Sequence, residues 1–348
     1  YAAGQGMPIP MSAPKIVNVA VGILMRPDGQ VLLGQRPAGK PYEGWWEFPG
    51  GKFEPGEDAA QAAVRELEEE LDIHVLASQP WVVREHVYEH AHVRLHFRRV
   101  TAWEGEPRGR EGQQLAWRAL DAIDVEPLLP ASLDPIRWLS LPAVYAISDA
   151  SARGIDEWLQ CLERWLEGRG LESAGGSCAA PARLLLLREP DMGPASFDRL
   201  FNGVLERVQG RDVRLMVSSR HPETYAQLAA EKTRGGIHLT GDDLHTSARD
   251  SRTAIEYLQV NYPMVAASCH SAEDLRLAGL LKLDLAVCGP VLPTQSHPGR
   301  AGLGWEGLTR MIEQTPVPVY ALGGLNPAHL DDARQAGAQG VAMQRGVW

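Results

Sequence analysis

The sequence predicts two α/β domains in series: a mixed sheet flanked by helices, then a closed (β/α)8 barrel. Three observations carry this. The 348 residues are enough for two domains. Before residue 140 the strands differ in length and are joined by turns, whereas after 143 short apolar strands alternate regularly with amphipathic helices. Eight such strands follow one another, each apolar without the alternation of a half-exposed strand, the pattern of parallel strands covered on both faces.

Val17, Val19, Val21 and Ile23 alternate with Asn18, Ala20 and Gly22 as a first strand. Pro27-Asp28-Gly29 turns the chain into a second strand at 30–35. A strand-like 45–48 leads to the Gly50-Gly51 turn, and Gly56 ends the loop before a helix over 58–71, rich in Ala and strong helix formers. Strands near 81–89, 93–102 and 113–118 and a helix near 131–139 complete a domain placed at 15–140. Barrel strands are expected at 144–148, 184–188, 213–217, 236–239, 265–268, 285–288, 317–322 and 340–343. Seven helices are expected between them, at 155–167, 197–208, 222–231, 251–260, 272–280, 305–313 and 327–335, with none after the eighth strand. The barrel domain thus covers 141–348, and its Gly/Ser/Ala-rich 168–180 is expected as a spacer on the N-terminal face. Residues 1–14 have neither a basic-then-apolar pattern nor a cleavage site and are read as a disordered leader or an expression remnant.

A net charge of −10 argues against a nucleic-acid polymer as partner, since phosphate binding on that scale needs a basic surface. It leaves room for a small nucleotide held through a metal. Cys161, Cys178, Cys269 and Cys288 are far apart with no C-x-x-C pair, which excludes a zinc ribbon or dithiol motif and suits a reducing compartment. No apolar run approaches the roughly 20 residues that span a bilayer. A cytoplasmic location without membrane contact is expected.

The chemistry is concentrated in residues 51–73, GKFEPGEDAAQAAVRELEEELDI. On the predicted helix Glu66, Glu69 and Glu70 share one face at i+3 and i+4 spacing, while Glu68 points elsewhere. Crowded carboxylates repel unless a cation sits among them, and oxygen-only ligands suit Mg²⁺, with Mn²⁺ able to substitute. Arg65 is placed to pair with Glu69. Asp72 follows the helix and tolerates the left-handed conformation that a helix end there requires.

These spacings resemble the Nudix box, G-x5-E-x7-R-E-U-x-E-E-x-G-U, at every position but Asp72, where the family has Gly. Residues 103–113, Val21-Gly22-Ile23 and Glu47-Phe48-Pro49-Gly50-Gly51-Lys52 are similar to MutT-type 8-oxo-dGTP diphosphatases, so the likeness covers roughly 15–140. The resemblance implies an α/β/α sandwich and metal ligation by Glu66, Glu69, Glu70, Glu111 and the Gly51 carbonyl, one carboxylate also helping to deprotonate water. It implies that Glu57 supports the loop, that Arg65 orients the carboxylates and that Arg36 meets the substrate's phosphates. It also implies attack at the β-phosphorus of a nucleoside triphosphate, 8-oxo-dGTP giving 8-oxo-dGMP and pyrophosphate, in the service of nucleotide-pool sanitation. Phe48, Asn18 and Ser132 are the remaining substrate-side candidates. The family reads the oxidised base with an Asn in a Pro-Ala-Asn-Glu-Pro stretch, where this chain has Pro130-Ala131-Ser132-Leu133-Asp134-Pro135. His86, His90, His92 and His96 form either a metal site or solvated strand positions, and Trp45 and Trp46 either stack on a base or sit in the core.

Residues 143–348 resemble thiamine phosphate synthase and the thiazole tautomerase (TenI-like) family. The likeness rests on Gly236-Ile237-His238-Leu239 with Asp242-Asp243, on Ser268-Cys269-His270, on Gly289 to Thr294 and on Ala321-Leu322-Gly323-Gly324-Leu325. It implies a TIM barrel with phosphate at Gly323 and Gly324, Asp243 left from a metal pair, and His270 and Thr294 beside a phosphorylated thiazole or pyrimidine. The synthase lysine is missing from Leu187-Arg188-Glu189-Pro190, its Asn-Asp is Ser218-Ser219, its Gln is Gly241, and the lysine near Thr294 is His297. These departures remove the groups that diphosphate ionisation needs. They leave a His270-centred tautomerase, a barrel that binds a phosphorylated ligand, or one that merely packs on the first domain. An alternative reading joins both halves in one pathway: a pyrophosphatase for thiamine or its precursors, with a tautomerase-like or ligand-sensing barrel.

Overall fold

The computed structural model describes residues 16–168, 183–221, 223–224, 235–294, 299 and 301–348. The leader 1–14, most of the 168–180 spacer, almost all of the 222–231 helix and His297 lie outside the described residues.

β1 (Ile16–Leu24) runs parallel to β6 (His92–Glu104) and antiparallel to β4 (Gly50–Lys52). The antiparallel β5 (His74–Val87) flanks β6, giving the order β4-β1-β6-β5. β2 (Gln30–Gln35), β3 (Trp46–Glu47) and β7 (Leu115–Ala119) form a second, antiparallel sheet. The single mixed sheet expected is therefore two. Both edges of β1 are occupied by β4 and β6, so β2 cannot lie beside it and finds other partners. β5 also begins at His74 rather than near 81, with register shifts around Ala77 and between Pro80 and Val83. Pro80 lacks an N–H, which an edge strand with a bulge accommodates.

Helix α1 (Ala59–Leu71) starts at a capping box. Asp58 Oδ1 accepts from the Ala60 and Gln61 amides at 2.8 and 2.9 Å, and Gln61 Oε1 accepts from the Asp58 amide at 3.0 Å. Leu67 and Leu71 are buried against Leu24, Leu32 and Ile73, while Ala62 and Ala63 meet Ala20, which leaves the Glu66–Glu70 face for the loop before it. The helix ends at Asp72 in the left-handed region (φ 58°, ψ 38°), its amide donating to the Glu68 carbonyl at 3.2 Å. Asp72→Gly should stabilise the domain by about 0.5–1 kcal/mol, since glycine adopts this conformation without the Cβ clash. The exposed Arg110–Asp72 pair at 3.5 Å that it removes is worth less. Urea denaturation of the two proteins measures this, and a less stable glycine variant would contradict it.

The second domain is a closed barrel of eight parallel strands. They are β8 (Val144–Ile147), β9 (Arg183–Leu187), β10 (Val213–Ser218), β11 (Gly235–Leu239), β12 (Val265–Cys269), β13 (Leu285–Cys288), β14 (Val319–Leu322) and β15 (Gly340–Met343). β15 closes the ring on β8. Alternate residues divide between two apolar layers. Leu185, Leu215 and Ala267 point outward to helical residues such as Phe197, Phe201 and Leu308. Tyr145, Leu186, Met216, Val287, Tyr320 and Ala342 point inward.

The inward layer is continuous with Trp81 and Trp138 of the first domain and with Leu141 at the junction. Polar contacts follow the same seam. The Val83 amide donates to the Thr315 carbonyl at 2.8 Å, Trp81 Nε1 to Gln339 at 3.0 Å, and Arg137 pairs with Asp284 at 2.6 Å. Thr315, Asp284 and Gln339 each lie just before a barrel strand, so the first domain covers the end at which the strands begin.

Candidate functional site

The Gly50-Gly51 turn brings β4 against α1. A Cβ on Gly50 (φ 149°) would lie 2.1 Å from the Ala20 carbonyl oxygen, so only glycine fits there, and the Glu66 carboxylate occupies the space a Cβ on Gly51 would take, 2.1 Å from Oε2. Arg65 is the hub beneath. It grips Glu57 through two bonds, Nε to Oε1 at 2.7 Å and Nη2 to Oε2 at 2.9 Å. It also donates to Glu66 at 3.0 Å, to Glu69 at 3.2 Å and to the Lys52 carbonyl at 2.9 Å. Its bonds to Glu57, helped by the Glu54 amide, pull the Glu57 carboxyl down to about 2. The sequence pairing of Arg65 with Glu69 is present, but Glu57 and Glu66 are its nearer partners.

Glu66 and Glu70 have the opposite character. Burial first, then the Glu111 and Glu66 carboxylates, push Glu70 up to about 7, against a 3.3 Å hydrogen bond from the Gly50 amide. Burial raises Glu66 as well, opposed by Arg65 and reinforced by Glu69 and Glu111. Glu111 is paired with Lys40, which the sequence reading did not single out. Glu68 turns away to His74 at 2.7 Å. Among the described residues no three His, Cys, Asp or Glu side chains converge as a ready metal cage. The carboxylates are turned instead to Arg65 and Lys40. The donor set still suits a hard divalent cation: oxygen ligands only, partly buried, mutually repelling, and packed against a glycine.

The substrate-side candidates separate. Arg36 is held by Glu47 and by the Pro41 carbonyl at 2.6 Å. The Phe48 ring is buried edge-on to Phe97. Asn18 lies on the α1 side of its sheet, hydrogen-bonded to His96 at 3.0 Å, while Val17, Val19 and Val21 face the other way. Ser132 is buried in the first turn of α2 (Pro130–Leu139), and the Tyr88 phenol meets the backbone of Ala131 beside it. Asn18 and Ser132 therefore stand on opposite faces.

Around Tyr88 the fold gathers an aromatic group that sequence spacing did not reveal. Tyr42 lies 5.3 Å from both Trp45 and Tyr88, His86 is 4.3 Å from Tyr88, and His90 stacks on Tyr88 at 5.6 Å. The four histidines do not form one site: His86 and His90 join this group, His92 bonds Glu85, and His96 bonds Asn18. Trp46 is core, while Trp45 is only partly buried.

In the barrel, a cavity of about 680 Å³ opens at the ends of the strands farthest from the first domain, lined by Arg188, Arg220, His270, Thr294, Gly323 and Gly324 among others. Gly323 (φ 106°) and Gly324 (φ 68°) press on Pro290 and Leu292, where a Cβ would come within 2.6 and 2.8 Å. His270 Nδ1 bonds the Gly289 carbonyl at 3.2 Å, which fixes Nδ1 as protonated and leaves Nε2 as the basic atom. The Thr294 hydroxyl has no hydrogen-bond partner among the described residues. Asp243, expected at the ligand, is absent from the lining. Its Oδ2 accepts from Ser219 Oγ at 2.5 Å and Thr240 Oγ1 at 2.7 Å, so the serine standing in the Asn-Asp position binds the aspartate itself. At the inner wall of the cavity, buried His238 bridges Tyr145 Oη (3.1 Å) and Ser268 Oγ (2.9 Å).

Comparison with known proteins adds two families. A NUDIX domain model matches residues 15–142 and a thiamine monophosphate synthase model matches residues 144–347. An 8-oxo-dGTP diphosphatase of Haemophilus influenzae is 40% identical over 118 residues, 34% of this chain and 87% of that protein. A CTP pyrophosphohydrolase of Escherichia coli is 37% identical over 119 residues, 34% of this chain and 87% of that protein. A thiamine-phosphate synthase of Fusobacterium nucleatum is 22% identical over 204 residues, 59% of this chain and 88% of that protein.

Proposed function

Since the chain belongs to the NUDIX domain family over residues 15–142 and to the thiamine monophosphate synthase family over 144–347, we propose that its phosphoric-anhydride hydrolase domain is Mg²⁺-dependent and acts on 8-oxo-dGTP. The observation that carries this is the placement of Glu66 and Glu70 against the Gly50-Gly51 turn, both raised by the Glu111 charge, with Arg65 bonded to Glu57, Glu66 and Glu69 from below. Glu66, Glu69, Glu70, Glu111 and the Gly51 carbonyl would hold the metal. Bound there, the cation neutralises phosphate oxygens and lowers the pKa of a water. The protein's own part is positional. Arg65 and Glu57 hold α1 to the loop, and one carboxylate takes the proton as water attacks the β-phosphorus. The bond from that phosphorus to the α-phosphate oxygen then breaks, releasing a nucleoside monophosphate and pyrophosphate. Tyr88, His90 and the Ser132 turn are the walls offered to the base.

A second reading is favoured by the barrel, whose cavity combines His270 with the Gly323-Gly324 turn. There the barrel takes a phosphorylated thiazole or pyrimidine, and the hydrolase cleaves thiamine diphosphate or a precursor. With Asp243 tied to two hydroxyls, a metal-assisted synthase step is disfavoured in either reading.

Measuring kcat/KM with Mg²⁺ for 8-oxo-dGTP, dGTP and thiamine diphosphate separates them. The first reading expects a preference for 8-oxo-dGTP over dGTP above ~10²-fold, the discrimination that hydrogen bonds to the base supply. Slow, equal rates on both nucleotides with faster thiamine diphosphate cleavage would replace it with the second.

A further inference from the structure

The strongest polar junction outside the two sites is a single buried amide. Gln339 is a barrel residue just before β15, only 5% exposed, yet its side chain serves three elements of the other domain. Its Oε1 accepts from Trp81 Nε1 on β5 at 3.0 Å and from the Arg99 guanidinium on β6. Its Nε2 donates to the carbonyls of Leu141 at 3.1 Å and Trp138 at 3.5 Å, at the end of α2. Both donors meet the oxygen and both carbonyls meet the nitrogen, so the network itself dictates the orientation of the amide. Arg99 also lies 4.6 Å above the Trp81 ring, and Trp81 meets Trp138 edge-on at 6.4 Å.

These three elements are the ones that frame the aromatic group. The β5–β6 hairpin carries Tyr88 and His90 at its tip, and α2 carries Ala131 and Ser132 in its first turn. The Tyr88 phenol meets the backbone of Ala131. The two walls are therefore joined at their far ends by one barrel side chain, and an apolar or charged replacement leaves buried donors or carbonyls unmatched. We infer that Gln339 is a positioning residue for the nucleobase pocket, and that the barrel thereby sets the base selectivity of the hydrolase. This rests on the reading of the first domain as a nucleoside triphosphate hydrolase.

The test uses the full-length chain carrying Gln339→Leu or Arg99→Lys, assayed with Mg²⁺ on 8-oxo-dGTP, dGTP and base-free ribose 5-triphosphate. Arg99→Lys keeps the charge over Trp81 but loses the guanidinium fork, and so stands in if the leucine variant fails to fold. The expected result is a KM for 8-oxo-dGTP raised about fivefold or more, a narrower ratio between the two nucleotides, and kcat within about twofold of the parent. Cleavage of ribose 5-triphosphate, which has no base to place, stays unchanged. A folded variant with parental KM and nucleotide ratio overturns the inference. So does an equal loss on all three substrates, which indicates general damage. A parent enzyme that cleaves no nucleoside triphosphate overturns the underlying reading as well.

Discussion

Glu70→Gln is expected to lower kcat on the preferred substrate by on the order of 10³-fold with little change in KM. The reasoning runs through charge. Burial first, then the Glu111 and Glu66 carboxylates, raise Glu70, and the Gly50 amide and the Lys40 charge offset this only in part. A neutral amide of the same shape keeps the fold but offers one weaker oxygen to a divalent cation. An interaction worth several kcal/mol in the transition state is then lost, at about 1.4 kcal/mol per tenfold. The amide also relieves the repulsion with Glu66 and Glu111, so the variant should be at least as thermally stable as the parent without metal. Steady-state kinetics and a melting curve measure both halves. An active Glu70→Gln, or an inactive one that is also unfolded, would remove Glu70 from the site.

The second large effect concerns acid. His238 is fully enclosed between Tyr145 and Ser268, and burial, helped by the Arg188 charge, pushes it from 6.5 down to about 3. In the unfolded chain the ring protonates near its ordinary value. Between these two pKa values the unfolded state carries a proton that the folded state refuses, so the stabilising contribution is complete above pH 6.5 and is lost as pH falls toward 3. The slope approaches 1.4 kcal/mol per pH unit and amounts to about 4–5 kcal/mol over that window. Gln at 238 supplies one donor and one acceptor to the same neighbours without titrating. Urea denaturation of parent and His238→Gln from pH 7.5 to 4 should diverge by this slope. Parallel curves would mean that the ring is hydrated in the folded protein.

What was legible in the sequence was local. The box helix and its left-handed end at Asp72 follow from spacing and residue type within about twenty positions, and the barrel strands announce themselves as short apolar runs. What was not legible depends on chain segments far apart. The split into two sheets requires knowing that β4 returns to the edge of β1. The extra length of β5 is masked by Pro80 and the polar residues before it, which only an edge strand with a bulge tolerates. Lys40 beside Glu111, Tyr42 beside Tyr88, and Asp243 bound by Ser219 are meetings that no periodicity encodes. Asn18, whose residue type suits a base reader, is placed by the alternation of its own strand on the helix side, bonded to His96. The Gln339 junction closes over 258 residues to Trp81, beyond any local pattern.

The way the first domain covers the start of the barrel strands has a consequence for traffic between the two halves. β15 separates Gln339, at the seam, from Gln344, at the rim of the cavity, by about 17 Å of extended chain. The barrel interior between them is filled by Tyr145, Tyr320 and their neighbours, so the lower end is stoppered and the mouth opens away from the hydrolase domain. Among the described residues no internal corridor joins the two halves. A molecule used by both must leave, mix with bulk solvent and re-enter from outside. Joining the two on one polypeptide therefore fixes their stoichiometry at one to one and keeps the barrel floor dry, while leaving each half to compete for its own small molecules on ordinary terms of concentration.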